Sequence, residues 1–134
     1  MKVLMMEKDV HKLRFLLAGE DGSKGKDGLQ RRALEEEIER ATIVPRHELP
    51  ADVVTMHSRV RIIDMRTGEQ LVYQIVYPQE ANYAEKRISV LAPIGVALLG
   101  YSEGTEIEWR VPSGTRHLRI EAVEQPSELR EAAA

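Results

Sequence analysis

The hydrophobic period of this chain changes near Pro50, and that change requires a helical part followed by a sheet part. Before Pro50, apolar residues recur every three or four positions: Val10, Leu13, Leu16 and Leu17, then Leu34, Ile38 and Ala41. After it they alternate, as Val60 and Ile62, then Leu71, Tyr73, Ile75 and Tyr77, then Ile107, Trp109 and Val111, then Leu118, Ile120 and Ala122. A helix stacks residues i, i+3 and i+4 on one face, whereas a strand sends neighbours to opposite faces. The expected fold class is therefore α+β.

The first helix is expected from Lys8 to Ala18, with Asp9 near its start satisfying free first-turn amides and Gly19 as its stop. The segment GEDGSKGKDG, Gly19 to Gly28, sets four glycines among charged residues and reads as a hairpin tip. A second helix follows from about Gly28 to Thr42, with Asp27 and Gln30 at the spacing of a capping box and Pro45 barring its continuation. Two such helices should pack as an antiparallel pair of only roughly 16 to 23 Å, at ~1.5 Å rise per residue.

The alternating runs pair through Thr67-Gly68 and through Pro112-Ser113-Gly114, which predicts four strands of an antiparallel sheet. Between the two hairpins, Ile94 to Leu99 reads as a short helix opened by Pro93, stopped by Gly100 and laid over the sheet. The expected division is a helical hairpin over residues 1–48 with its tip at 19–28, a sheet domain over 49–126 and a flexible tail over 127–134.

Charge argues against a general affinity for nucleic acid. Residues 1–49 carry ten Lys and Arg against ten Asp and Glu, and the remainder carries nine against twelve, so neither half is basic. The absence of cysteine excludes disulfides, thiolate catalysis and thiolate-bound zinc. The opening MKVLMMEKDVHK has an apolar run too short for a signal core, and no stretch has the ~20 apolar residues of a membrane span, so a cytoplasmic protein is expected. A monomer is the expected state.

The four histidines, His11, His47, His57 and His117, lack metal-ligand spacing, so no metal is assigned. No phosphate-binding glycine loop follows a strand. Ser58 directly follows His57, and neighbours on a strand cannot converge as nucleophile and base. The run Glu35-Glu36-Glu37 reads as a solvated helical face, with Arg31 as an i, i+4 partner to Glu35. Glu20, Asp21 and Asp27 are either solubilising turn residues or carboxylates that a projecting tip offers to Mg²⁺.

Four stretches carry a resemblance. LPADVVTMHSRVRI at Leu49 to Ile62, EQLVYQIVYPQEAN at Glu69 to Asn82, ISVLAPIGVALLG at Ile88 to Gly100 and EGTEIEWRVPSGTRHLRIEAVE at Glu103 to Glu124 follow one another in order. Together they resemble the C-terminal domain shared by the Gre transcript-cleavage factors and the Rnk family of regulators of nucleoside diphosphate kinase. The stretches VYP and VTM-S-V are closer to Rnk.

The resemblance implies a twisted antiparallel sheet with a short covering helix, of the type found in FK506-binding (FKBP-like) prolyl isomerases. Isomerase activity is not implied, because this domain lacks the aromatic lining of such an active site. The implied partner is RNA polymerase, met near its secondary channel by the turn residues Ser89, Leu91, Ala92 and Pro93. In Gre factors a long N-terminal coiled coil presents acidic tip residues to the catalytic Mg²⁺. The shorter hairpin here implies a regulator that competes with Gre factors without cleaving transcripts, and hence neither an enzyme nor a cofactor binder. The competing expectation is a GreA/GreB-type cleavage-stimulating elongation factor that uses Glu20, Asp21 and Asp27.

Overall fold

The computed structural model describes residues 3–19 and 28–126. Its first elements are β1 (Leu4–Met6), α1 (Glu7–Ala18), α2 (Gly28–Arg40) and β2 (Thr42–Val44). Val10 and Leu13 of α1 and Leu34 and Ile38 of α2 are buried, with Leu16, Leu17 and Ala41 packed partly against them. The helical stripe expected from spacing is the one that faces the core.

The second helix stops at Arg40, two residues earlier than its apolar period suggests. Three β-branched residues, Thr42, Ile43 and Val44, precede Pro45, and such side chains fit an extended backbone better than a helical one. They pair in parallel with β1, Leu4 opposite Thr42 and Met6 opposite Val44. This small second sheet was not expected, and it closes the base of the helical part.

The larger sheet contains β3 (Arg59–Asp64), β4 (Gln70–Val76), β5 (Arg87–Ser89), β6 (Glu106–Val111) and β7 (Gly114–Glu124), in the order β5-β4-β3-β7-β6. Four of these are the predicted antiparallel strands, joined by the predicted turns. The fifth departs from expectation, because β5 lies parallel to β4, Gln74 opposite Arg87 and Val76 opposite Ser89. Two 3₁₀ turns, Pro78–Glu80 and Tyr83–Glu85, carry the chain back to make that parallel return.

Val60, Ile62, Ile75, Leu118 and Ile120 are fully buried on one face of this sheet. Each such side chain contributes roughly 1.5–3 kcal/mol of burial. Beyond Ile120 the predicted alternation slips. A bulge shifts the register between Arg61 and Ile62, so Val123 packs against the core where Ala122 was expected.

α3 (Pro93–Leu98) lies over the buried face with Ile94, Val96 and Leu98 inward. Gly100 follows at φ +88, and a β-carbon there would come within 2.6 Å of the Val3 side chain. The close approach serves the backbone: Gly100 donates to the Val54 carbonyl at 2.9 Å and accepts from the Leu4 amide at 3.0 Å. Helices and sheet share one continuous cluster of buried side chains, from Leu13 and Leu34 to Leu118 and Ile120.

Candidate functional site

The turn from Ser89 to Pro93 leaves the sheet edge and starts α3. The Ser89 hydroxyl accepts from the Leu91 amide at 3.0 Å, and the Ser89 carbonyl accepts from the Ala92 amide at 2.9 Å. The Val90 amide donates to Val76 at 2.7 Å, which ties the turn to β4. Pro93 occupies the first helical turn, where a missing N–H costs nothing.

Ser89 and Ala92 are half-buried and Pro93 is exposed, whereas Leu91 is only 3% exposed and belongs to the core. Of the four residues singled out from the resemblance, three can reach a partner's surface, and Leu91 supports them from beneath. Gly95 fixes the height of the turn. A β-carbon at Gly95 would collide with the Ser89 carbonyl and sit 3.0 Å from the Val90 α-carbon. Glycine within a six-residue helix is unfavourable by propensity, and that anomaly was the sequence signal for the close approach.

The tip acids Glu20, Asp21 and Asp27, and the capping box involving Asp27, lie outside the described residues. The root of the hairpin is within them. Arg31 donates to the Leu16 carbonyl at 3.2 Å, linking the two helices, so the expected pairing with Glu35 is replaced by a backbone contact. The Tyr101 hydroxyl, from the loop after α3, donates to Glu37 at 3.2 Å and accepts from Arg40 at 3.1 Å. Burial pushes the Tyr101 phenol above its ordinary pKa, and the Glu37 charge pushes the same way.

Asp9 does not cap its own helix. Its side chain is buried and accepts from the Met56 amide at 3.1 Å, so it binds α1 to the segment before β3. Burial raises its carboxyl above 3.8, against the pull of the Met56 amide and of His57, Lys12 and Lys8. The expectation of a cap failed because an acid in a first helical turn reads the same whether it points to solvent or inward.

A polar cluster that the sequence did not announce surrounds this contact. His57 sits at φ +70, a left-handed conformation uncommon for histidine, with its amide bonded to Ile75 and its carbonyl to the Gln74 side chain. Its Nε2 is 2.9 Å from Glu80, and its ring meets the edge of Tyr77 at 5.7 Å between centroids. Burial acts to raise the Glu80 carboxyl, but His57 and the Tyr77 amide outweigh it and hold Glu80 below its ordinary value. Burial also pushes the Tyr77 phenol well up, with Asp9 and Glu80 adding to the effect. Ser58 turns away from His57 to Thr55 and Gln125, at 2.8 and 3.0 Å. Among the described residues, no three His, Asp or Glu side chains gather as a metal site, and no helix is long and apolar enough to cross a membrane.

A curled mixed sheet, one short helix over it and a helical pair rooted beside it form the arrangement that this chain shares with a solved transcription elongation factor structure. Residues 49–125 match the family described as transcription elongation factor GreA/GreB, C-terminal domain, and the chain belongs to that family. It is 40% identical over 97 residues to the regulator of nucleoside diphosphate kinase of Escherichia coli K12, across 72% of this chain and 71% of the relative. It is 42% identical over 87 residues to transcription elongation factor GreA of Brucella anthropi, across 65% of this chain and 55% of the relative. A prokaryotic transcription elongation factor GreA/GreB from Nitrosomonas europaea has a similar solved structure, with a TM-score of 0.77 at 35% identity, covering 93% of this chain and 99% of that one.

Proposed function

We propose that this protein binds RNA polymerase near the secondary channel, competes there with Gre factors and does not stimulate transcript cleavage. The observation that carries this reading is the length of the hairpin. Because β1 and β2 pair beneath it, the segment between Met6 and Thr42 bounds its reach, and its helices have only 12 and 13 residues. At ~1.5 Å per residue, each leg extends roughly 18–20 Å. Catalytic positioning fails with errors of about an ångström, so acids that stop short of a metal contribute essentially nothing. The relation to regulators of nucleoside diphosphate kinase, over most of their length, supports the same reading.

In this reading residues 49–126 form an FKBP-like docking module and residues 1–48 an antiparallel hairpin that occupies the channel entrance. Ser89, Ala92 and Pro93 meet the polymerase, with Leu91 holding them in place. The test uses backtracked elongation complexes. The protein alone should leave the RNA uncut, and titrating it against a Gre factor should suppress cleavage by that factor. RNA shortening by the protein alone, abolished when Glu20, Asp21 and Asp27 are changed to Ala, would establish a cleavage factor instead.

A further inference from the structure

We propose that the cleft between the start of α1 and the segment before β3 binds a small phosphate-bearing molecule. The cleft has a volume of about 330 Å³, within the range of small-molecule sites. Lys8 and Lys12 approach it from α1, Arg46 from the turn after β2, and His57, Tyr77 and Glu80 from the sheet side.

Charge decides what the cleft can hold. Its two acids are already engaged inside the protein, Asp9 by the Met56 amide and Glu80 by His57 and the Tyr77 amide. Lys8, Lys12 and Arg46 are exposed, and none of them forms an ion pair with another described residue. Three cations from two separate elements, unpaired among the described residues, therefore face one cavity, and phosphate oxygens are the acceptors that Lys and Arg satisfy best.

Two further observations point to a ligand. Tyr77 lines the cleft, and its hydroxyl is buried without a hydrogen-bond partner, although buried hydroxyls are normally paired. His57 is held in a left-handed backbone conformation of the kind that collects at ligand sites, with its ring fixed at the cleft wall. Next to the cleft, a shallower depression of about 670 Å³ shares Lys8, Lys12 and Arg46 and extends past Glu7, His11 and Pro45, so that three cations stand against one added carboxylate there. A phosphate over the shared cations leaves that depression for an organic part up to the size of a nucleoside. The cations are confined to a cleft in a chain of net charge −3, which fits a small ligand better than a nucleic-acid strand.

The test is calorimetric titration of the full chain with inorganic pyrophosphate and, separately, with ADP. Saturable binding is expected, weakened roughly tenfold or more by Lys12→Gln with Arg46→Gln, since each charge-assisted bond lost is worth about that factor. Both positions are exposed, so the variant keeps its core, and unchanged circular dichroism verifies this. A control, Arg59→Gln with Arg61→Gln, removes equal charge from the opposite face of the sheet and should bind as the parent does. Tighter binding of ADP than of pyrophosphate assigns the neighbouring depression to a nucleoside, and equal binding assigns the site to the phosphates alone. Absence of saturable binding at millimolar concentration, or equal weakening by both double variants, overturns the proposal.

Discussion

The Asp9 carboxylate accepts a 3.1 Å hydrogen bond from the amide of Met56, 47 residues further along the chain. A buried acid of the first helix thus holds the loop that leads into the sheet. Burial is the largest influence on that acid, and it raises the folded-state pKa above 3.8. The charged form is therefore disfavoured in the fold, and stability falls as pH climbs from the unfolded value through the raised one. Asparagine accepts the same bond without charge, so Asp9→Asn should melt above the parent at neutral pH, with the gap closing below pH 3.8. Asp9→Ala strands the Met56 amide and should cost about 1–3 kcal/mol. Paired thermal melts at neutral and acid pH measure both effects, and an Asn variant less stable at neutral pH would refute the assignment.

Gly95→Ala should destabilise the fold by about 1–3 kcal/mol, the usual cost of forcing an extra carbon into a packed site. The carbon would strike the Ser89 carbonyl, so the turn from Ser89 to Pro93, proposed to dock on polymerase, should move as well. Urea denaturation gives the first quantity and co-purification with core polymerase the second. Pro93→Glu separates fold from contact, because Pro93 is exposed at a position where an acid suits a helix start. It should keep the parent's melting temperature and lose about tenfold or more in polymerase affinity.

Acid should weaken the fold at Asp64 as pH falls from 3.8 towards about 2. Its side chain is 5% exposed and accepts from Arg116 at 2.9 Å and from the amides of Arg66 and Thr67 at 2.8 and 3.1 Å. The Arg116 bond, with the two amides behind it, lowers the carboxyl from 3.8 to about 2. A depressed folded value contributes stability that is complete above 3.8 and lost as pH falls towards about 2. Asp64→Asn should flatten the melting profile across that interval. Parallel acid slopes for parent and variant would exclude Asp64 as the group responsible.

Tyr101→Phe should cost about 0.5–1.5 kcal/mol by removing the hydroxyl between Glu37 and Arg40. A double-mutant cycle with Glu37→Gln in urea should show a coupling of roughly 0.5 kcal/mol or more. Additive effects would mean that the hydroxyl does not join α2 to the loop after α3.

What could be read in advance followed residue spacing. Leu13, Leu34 and Ile38 announced their helical face, and Val60, Ile62, Leu118 and Ile120 their sheet face, because burial imposes a period on long elements. Strands of three residues have no period to show, so β1, β2 and the parallel course of β5 were illegible. The bulge that exchanged Ala122 for Val123 depends on register with β3, which no local pattern encodes. The proposal that Ser89 to Pro93 docks rests on resemblance, since that turn carries no distinctive spacing. The contacts of Asp9 with Met56 and of His57 with Glu80 join residues 47 and 23 positions apart, so only the fold brings them together.

The pairing of Leu4 with Thr42 gives the helical part a sealed root, with Gly100 wedged against it. An arm anchored at both legs can be lengthened or trimmed at its far end while its foundation stays the same. Seven residues added to each leg would extend it by about 10 Å, with no side chain of the sheet needing to change. Arm length thereby becomes a setting independent of the sheet, adjustable by insertion or deletion alone.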